Sequence, residues 1–402
     1  MTSREIEGVR LYVPGDQVLR ASERKWDGER FEPESVDAWT ASLRPGELAL
    51  DVGAYTGLYT LLAARAGARC YAFEPNPAAM YRLRANLELN GLTDRVRCFP
   101  HAVSAEEGTA RLSHDGESLT SATRMRPGDG VRVVTLDSVV GRIETVCAIK
   151  VDVEGMEEEV LRGALGTVRG SWPLVLAEVL NPDAEERVRG ILDGLGYSYV
   201  RKADGRNLVA RHRLTDDEDY RSERKKYARV YAEGVYRPEF SVGAGAVPVA
   251  WGWAHGLGAT SATDWGCGHG RAMRWLRKRM NRVVGVDLIP TTETLDDPDF
   301  WQGTIWSPPA SLPKTDFAFC VDVLEHLPEP RVGEAIRQIA AHTRRGAWFQ
   351  VATFVDEKGD EIGERLHLTV RSATWWAERV AEEFELVSVD TNGRHVRLWL
   401  RV

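Results

Sequence analysis

The chain has 402 residues, 43% hydrophobic and 28% charged, which fits two globular domains of ordinary size, each burying its own core. A net charge of −8 disfavours a general nucleic-acid binder, which shows a basic face, although it leaves room for a local basic groove. With no signal peptide and no apolar run near about 18 residues, the chain reads as cytoplasmic, neither exported nor membrane-spanning.

The opening stretch to Pro45 is polar and broken by Pro14, Gly15 and Pro33, and it reads as a cap on the first sheet or a cover for its ligand. Strands are then expected at Leu48–Val52, Arg69–Phe73, Arg95–Phe99, Val146–Val151 and Pro173–Val179, and helices at Leu58–Ala66, Pro77–Asn90, Met156–Leu165 and Asp183–Leu195. Tyr197–Val200 and Asn207–Arg211, separated by Asp204-Gly205, form a closing hairpin. The charge cluster from Arg211 to Asp219 marks a boundary, giving domains 1–213 and 214–402. Tyr220–Val235 has helical spacing with Tyr227, Val230 and Tyr231 on one side, and is read as an N-terminal helical cap on the second domain's pocket. Helices follow at Arg271–Met280, Val332–His342 and Ala373–Phe384, and strands at Ser261–Thr263, Arg282–Val286, Asp316–Val321 and Ala347–Ala352. Glu385–Asp390 and His395–Arg401, around Asn392-Gly393, close the second domain as another hairpin. The fold class is therefore α/β, with two Rossmann-like, doubly wound, mainly parallel sheets, each closed by an antiparallel C-terminal hairpin.

One pattern occurs twice. A strand ends in Asp51-Val52-Gly53-Ala54-Tyr55-Thr56-Gly57 and the next strand ends in Glu74. Later, Asp264-Trp265-Gly266-Cys267-Gly268-His269-Gly270 is followed by a strand ending in Asp287, at the same acid-to-acid interval. Glycines let backbone approach a ligand beside a helix N-terminus, and the second acid accepts from the hydroxyls of a ribose. A dinucleotide site wants G-x-G-x-x-G, and neither copy has it. Asp51 and Asp264 suit a ligand carrying an ammonium, such as S-adenosylmethionine. The cofactor-binding candidates are thus Asp51, Gly53, Tyr55, Gly57 and Glu74, then Asp264, Gly266, Gly268, Gly270, Asp287 and the later strand-end acid Asp322.

Both halves resemble class I S-adenosylmethionine-dependent methyltransferases. The first resembles the FkbM family from Leu48 to Leu208, through Asp51-Val52-Gly53-Ala54, Ala72-Phe73-Glu74-Pro75-Asn76-Pro77, Leu87-Glu88-Leu89-Asn90, Thr135-Leu136-Asp137 and Ile149-Lys150-Val151-Asp152-Val153-Glu154-Gly155-Met156-Glu157. Tyr55 stands where that family often has Asn. The second half resembles the broad methyltransferase group whose fourth strand ends in Asp322-Val323-Leu324-Glu325-His326-Leu327, with Thr304 where an acid often contacts adenine. The resemblance implies one S-adenosylmethionine per domain, two per chain, and a small-molecule or glycan acceptor.

Methyl transfer needs a positioned nucleophile and, for a hydroxyl, a base at the C-terminal ends of the fourth and fifth strands. In the first domain these are Asp152, Glu154 and Glu178, whose mutual repulsion raises the proton affinity of at least one. They could equally hold a divalent cation, though no zinc-type ligand spacing supports a metal. Glu157 reads instead as charging a helix N-terminus. In the second domain, His326 beside Glu325 has an ordinary pKa suited to a base, and His367 lies where a substrate lid belongs. Trp375-Trp376 reads as helical core first and a stacking surface second.

Three rival readings remain at this stage. A NAD(P)-dependent oxidoreductase conflicts with the glycine spacing. A nucleic-acid methyltransferase conflicts with the net charge. In the third, one domain is catalytic and the other a binding or dimerisation module, which leaves a homo-oligomer open. The five cysteines lie in or beside apolar strands without a C-x-x-C pair, as buried thiols in a reducing compartment do.

Overall fold

The computed structural model describes residues 3–12, 30–112, 125–128, 130–141, 144–237, 243–294, 297–309 and 311–402. The chain divides into two compact units, Met1–Asp217 and Glu218–Val402.

In the first unit β1 (Ser3–Ile6) and β2 (Val9–Tyr12) pair as an antiparallel hairpin, followed by helix α1 (Pro33–Ser42). Part of the expected N-terminal cap, residues 13–29, lies outside the described residues. Strand β3 (Leu48–Val52) is buried at every position, as a central parallel strand covered on both faces must be. Helix α2 (Leu58–Arg65) then leads to β4 (Arg69–Phe73). Helix α3 (Pro77–Asn90) is bounded by local chemistry. Asn76 accepts from the N–H groups of Ala78 and Ala79, Pro77 sits in the first turn, and Gly91 closes the end at φ 66°.

After β5 (Val96–Phe99) comes a side sheet that period alone does not reveal. It comprises β6 (Ala102–Val103), β7 (Gly108–Leu112), β8 (Met125–Pro127) and β9 (Val131–Val134), in the order β6-β9-β7-β8. The short α4 (Leu136–Val139) precedes β10 (Val146–Val151). The single helix expected over Met156–Leu165 is two, α5 (Glu157–Arg162) and α6 (Leu165–Ser171). The break falls at Gly163, where a Cβ would stand 2.1 Å from the Ser104 carbonyl oxygen, so the chain turns there to pass that backbone. Strand β11 (Leu174–Glu178), helix α7 (Pro182–Gly194) and the hairpin β12 (Tyr199–Ala203) and β13 (Asn207–Arg211) complete the unit. The sheet order is β12-β13-β11-β10-β3-β4-β5, parallel from β11 to β5, with β13 antiparallel to both neighbours.

The second unit opens with α8 (Glu218–Ala232) and α9 (Gly243–Gly256), the latter apolar and carrying Pro248 inside it. Its sheet strands are β14 (Ser261–Trp265), β15 (Arg282–Asp287), β16 (Phe300–Gln302), β17 (Thr315–Val321), β18 (Thr343–Ala352), β19 (Glu385–Thr391) and β20 (His395–Arg401). Three helices intervene: α10 (Arg271–Leu276), α11 (Glu329–Ala341) and α12 (Ala373–Val380), the last capped by the Ser372 side chain. The order β16-β15-β14-β17-β18-β20-β19 is that of the first sheet read from its other edge. In each sheet the first strand (β3, β14) has its successor on one side and the fourth parallel strand on the other. Ligands collect at such a reversal, beyond the carboxyl ends of the strands. Trp376 is fully buried in the helix's packing face, while Trp375 is half-buried, edge-on to it and under the Arg379 guanidinium. No helix among the described residues is long and apolar enough to cross a membrane, and none of the five cysteines is in a disulfide.

Candidate active site

The turn after β3 is built from left-handed backbone: Gly53 at φ 81°, Tyr55 at 48° and Gly57 at 94°. A Cβ on Gly53 would lie 1.8 Å from the Asp152 carbonyl oxygen, so only glycine lets this turn meet the end of β10. The Tyr55 N–H donates to one Glu74 carboxylate oxygen at 2.8 Å, and the Asn76 N–H to the other at 2.7 Å. Burial nonetheless pushes the Glu74 carboxyl up to about 7. Asp51 is buried. Its Oδ2 accepts from the Thr60 hydroxyl at 2.6 Å and its Oδ1 has no hydrogen-bond partner.

At the ends of β10 and β11 stands a chain of charges. Lys150 Nζ is 2.8 Å from Asp152 Oδ2 and 4.8 Å from the centroid of the Tyr59 ring, whose hydroxyl donates to Glu32 at 2.8 Å. Arg206 Nε lies 2.8 Å from Glu178 Oε1, and its Nη2 is 3.6 Å from Glu32. Burial and the adjacent Asp152 charge push the Glu178 carboxyl up to about 8. Burial also acts upward on Asp152, but the Lys150 ammonium and a hydrogen bond from Glu178 hold it below the usual carboxylate range. At neutral pH one proton therefore sits on Glu178 and bridges to an ionised Asp152. Glu154 follows with φ 57°, a left-handed conformation in the same loop. Glu157 is turned inward, accepting from the N–H groups of Val153 and Gly155.

The second unit repeats the donor turn. Gly266, Gly268 and Gly270 have φ of 75°, 50° and 65°. The Gly268 N–H donates to Asp287 Oδ2 at 2.8 Å and the Ile289 N–H to Oδ1 at 3.2 Å, at the same places in the motif as Tyr55 and Asn76. Asp264 is buried with Oδ2 unpartnered, and burial together with the Asp287 charge pushes its carboxyl up to about 8. The turn opens on a cavity of about 610 Å³ that also takes in Tyr227 and Tyr231 of α8, Asp322, Glu325, His326 and His367. Tyr231 brings its hydroxyl to 3.3 Å from where a Cβ on Gly268 would be. Asp322, at φ 54°, is pushed up to about 6 by burial, while Gln350 donates to it at 3.3 Å. Burial, and then the Asp322 charge, holds the Glu325 carboxyl well above its ordinary range. Burial and the adjacent His367 push the His326 imidazole down to about 3, so the ring is neutral at physiological pH.

Residues 51–199 match the family described as the methyltransferase FkbM domain, and residues 261–398 match a family described as a methyltransferase domain. Residues 51–199 thus match as an FkbM-type methyltransferase domain and residues 261–398 as a second methyltransferase domain. A curated relative, the 31-O-demethyl-FK506 methyltransferase FkbM of Streptomyces tacrolimicus, is 29% identical over 205 residues, which is 40% of this chain and 76% of the relative. Among solved structures, the 1,6-didemethyltoxoflavin-N1-methyltransferase of Burkholderia thailandensis is 17% identical with a TM-score of 0.38, covering 51% of this chain and 99% of that one. The methyltransferase FkbM of Methylobacillus flagellatus KT is 16% identical with a TM-score of 0.33, covering 44% of this chain and 50% of that one.

Within the FkbM domain, the fold brings Asp51, Gly53, Tyr55 and Gly57 together at the turn after β3, with Glu74 at the end of β4 accepting from Tyr55 and with Asp152 and Glu178 at the neighbouring strand ends. Lys150, Arg206, Glu32 and Tyr59 complete this cluster and were not singled out by sequence. Lys150 lies inside the motif string but reads as an ordinary polar strand residue. The others arrive from distant segments. In the second methyltransferase domain, Tyr227, Tyr231 and Thr304 join the expected residues around the cavity, and Thr304 Oγ1 is buried without a partner.

Proposed function

We propose that the chain is an S-adenosylmethionine-dependent O-methyltransferase whose FkbM domain acts on a hydroxyl of a sugar, glycan or secondary metabolite. The observation that carries this reading is the pair of carboxyls, Asp152 held by Lys150 and Glu178 held by Arg206, at the strand ends next to the glycine turn. The donor, when bound, supplies an activated methyl group on a sulfonium. The residues present fit it: a buried, partly unpartnered Asp51 for an ammonium, and a Glu74 held by two backbone donors with lone pairs left for ribose hydroxyls. Glu74 and Tyr55 orient the donor, Lys150 fixes the Asp152 carboxylate, and the Asp152–Glu178 pair takes the acceptor's proton. The Lys150 and Arg206 cations already compensate these carboxylates, so the pair works as an acid–base device without a metal ion. The FkbM relative, named for 31-O-demethyl-FK506, supports a hydroxyl acceptor on a small molecule.

The second domain is read in the same way as a donor-binding methyltransferase domain, with Asp264 and Asp287 on the donor side and Asp322, Glu325, His326 and His367 on the acceptor side. Two donor sites per chain follow. The test is transfer of labelled methyl groups to hydroxylated macrocycles and sugars. Transfer to a hydroxyl that falls sharply in Asp152→Asn supports the reading, and transfer confined to nitrogen or carbon acceptors discards it.

A further inference from the structure

Deep in the second domain's cavity three side chains converge. One ligand atom each from Glu325, His326 and His367 lies within 4.8 Å of the other two. Their exposures are 0%, 9% and 5%. The two imidazoles meet edge to face with centroids 4.7 Å apart. We propose that these three residues bind a divalent transition-metal ion on the acceptor side of the cavity.

The hydrogen bonds around the cluster prepare each ligand atom. His367 Nδ1 is 2.7 Å from the Phe354 carbonyl oxygen and His326 Nδ1 is 3.1 Å from that of Leu366. A carbonyl only accepts, so each ring carries its proton on Nδ1 and keeps a lone pair on Nε2. The Tyr227 oxygen, 2.6 Å from His326 Nδ1, shares that proton. Main-chain oxygens that accept from the far ring N–H in this way are usual outer partners of metal-binding histidines. Glu325 is likewise half-used. Its Oε1 accepts from the Ala352 N–H at 3.0 Å, and its Oε2 is buried with no hydrogen-bond partner. A fully buried carboxylate oxygen without a partner calls for a proton or a cation.

Two nitrogens and one oxygen suit zinc, manganese, iron or cobalt rather than magnesium or calcium, which prefer all-oxygen sets. Three protein ligands leave the remaining positions open to the cavity, where an acceptor oxygen would be polarised. The inference deepens the reading of this cavity as a methyl-transfer site, yet its test needs no transfer.

The full chain is stripped with a chelator and titrated with Co²⁺, read by its visible ligand-field bands. One Co²⁺ per chain is expected, with affinity falling in Glu325→Gln and in His367→Ala by more than the roughly 10–100-fold that outer partners are worth. His255→Ala, an exposed histidine elsewhere in the domain, should leave it unchanged. X-ray absorption on the unsubstituted cobalt-loaded chain covers the case in which a variant fails to fold. Imidazole nitrogens with oxygen in the metal's shell support the proposal. Sulfur ligation, a shell of water alone, or undiminished binding in both folded variants overturns it and leaves a proton on Glu325. Donor calorimetry on the same samples reports separately on the methyl-transfer reading.

Discussion

A base is useful when its proton affinity sits near the working pH, and in the mechanism we propose the FkbM domain sets this by placing two carboxyls together and giving only one of them an ammonium partner. Lys150 sides with Asp152, so the proton rests on Glu178, whose pKa is about 8. The ionised pair is the stronger base, so turnover should rise with pH and level off above about 8. Glu178→Gln should remove that limb and lower turnover by about 10²–10⁴, with donor affinity near normal; a pH–rate profile and donor calorimetry check both. Asp264 gives a stability prediction. Its folded pKa of about 8 lies above its ordinary 3.8, so the stability of the protonated form is complete below about 4 and is lost as pH rises through 8. Without donor, the thermal midpoint of Asp264→Asn relative to the natural chain should therefore climb between pH 4 and pH 8. At this scale the sequence was legible where a residue ends a strand: Asp51, Glu74, Asp152 and Glu178 are all such ends. Lys150, Arg206, Glu32 and Tyr59 were not, because their roles depend on which segments the fold brings together.

Among the elements, the glycine turns bear the tightest constraint. Gly57→Ala puts a Cβ 2.2 Å from Leu83 Cδ1 at φ 94°, and a side-chain end can yield, so a cost of about 1–3 kcal/mol is expected. Gly53→Ala meets the Asp152 carbonyl oxygen of the main chain instead and should cost more. Urea unfolding of the two variants should rank them in that order. The parallel strands of both main sheets except the three-residue edge strand β16, and both closing hairpins, were legible, since apolar runs and Asp204-Gly205 or Asn392-Gly393 turns are local signals. The side sheet of β6 to β9 was not, being short strands without alternation. Helix α9 was missed because it is apolar with Pro248 inside, so no amphipathic stripe marks it. The split of α5 from α6 arises from a contact with Ser104, which no periodicity encodes.

For the whole molecule, the matching strand orders and matching acid clamps lead to one quantitative expectation. Calorimetry should find two S-adenosylmethionine sites per chain, with Glu74→Ala and Asp287→Ala each weakening a different one. Each lost acceptor should weaken its own site by about 1–3 kcal/mol. A single site insensitive to Asp287→Ala would make the second domain a binding module. The duplication was legible because the interval between the two acids survives even where the letters between them differ. The acceptor was not, since strand ends, α8 and late loops all contribute to the second cavity.

The grip on each second acid of the repeated pattern, Glu74 and Asp287, is made by peptide nitrogen, from Tyr55 in one turn and Gly268 in the other. Such a grip has no spelling. A residue able to adopt a left-handed backbone can supply it, as Tyr55 does at φ 48°. Substitutions that keep the N–H and the left-handed backbone should therefore keep the grip, with one residue barred. Proline, which lacks the N–H and cannot reach φ 48°, would silence the turn while leaving every acid in place.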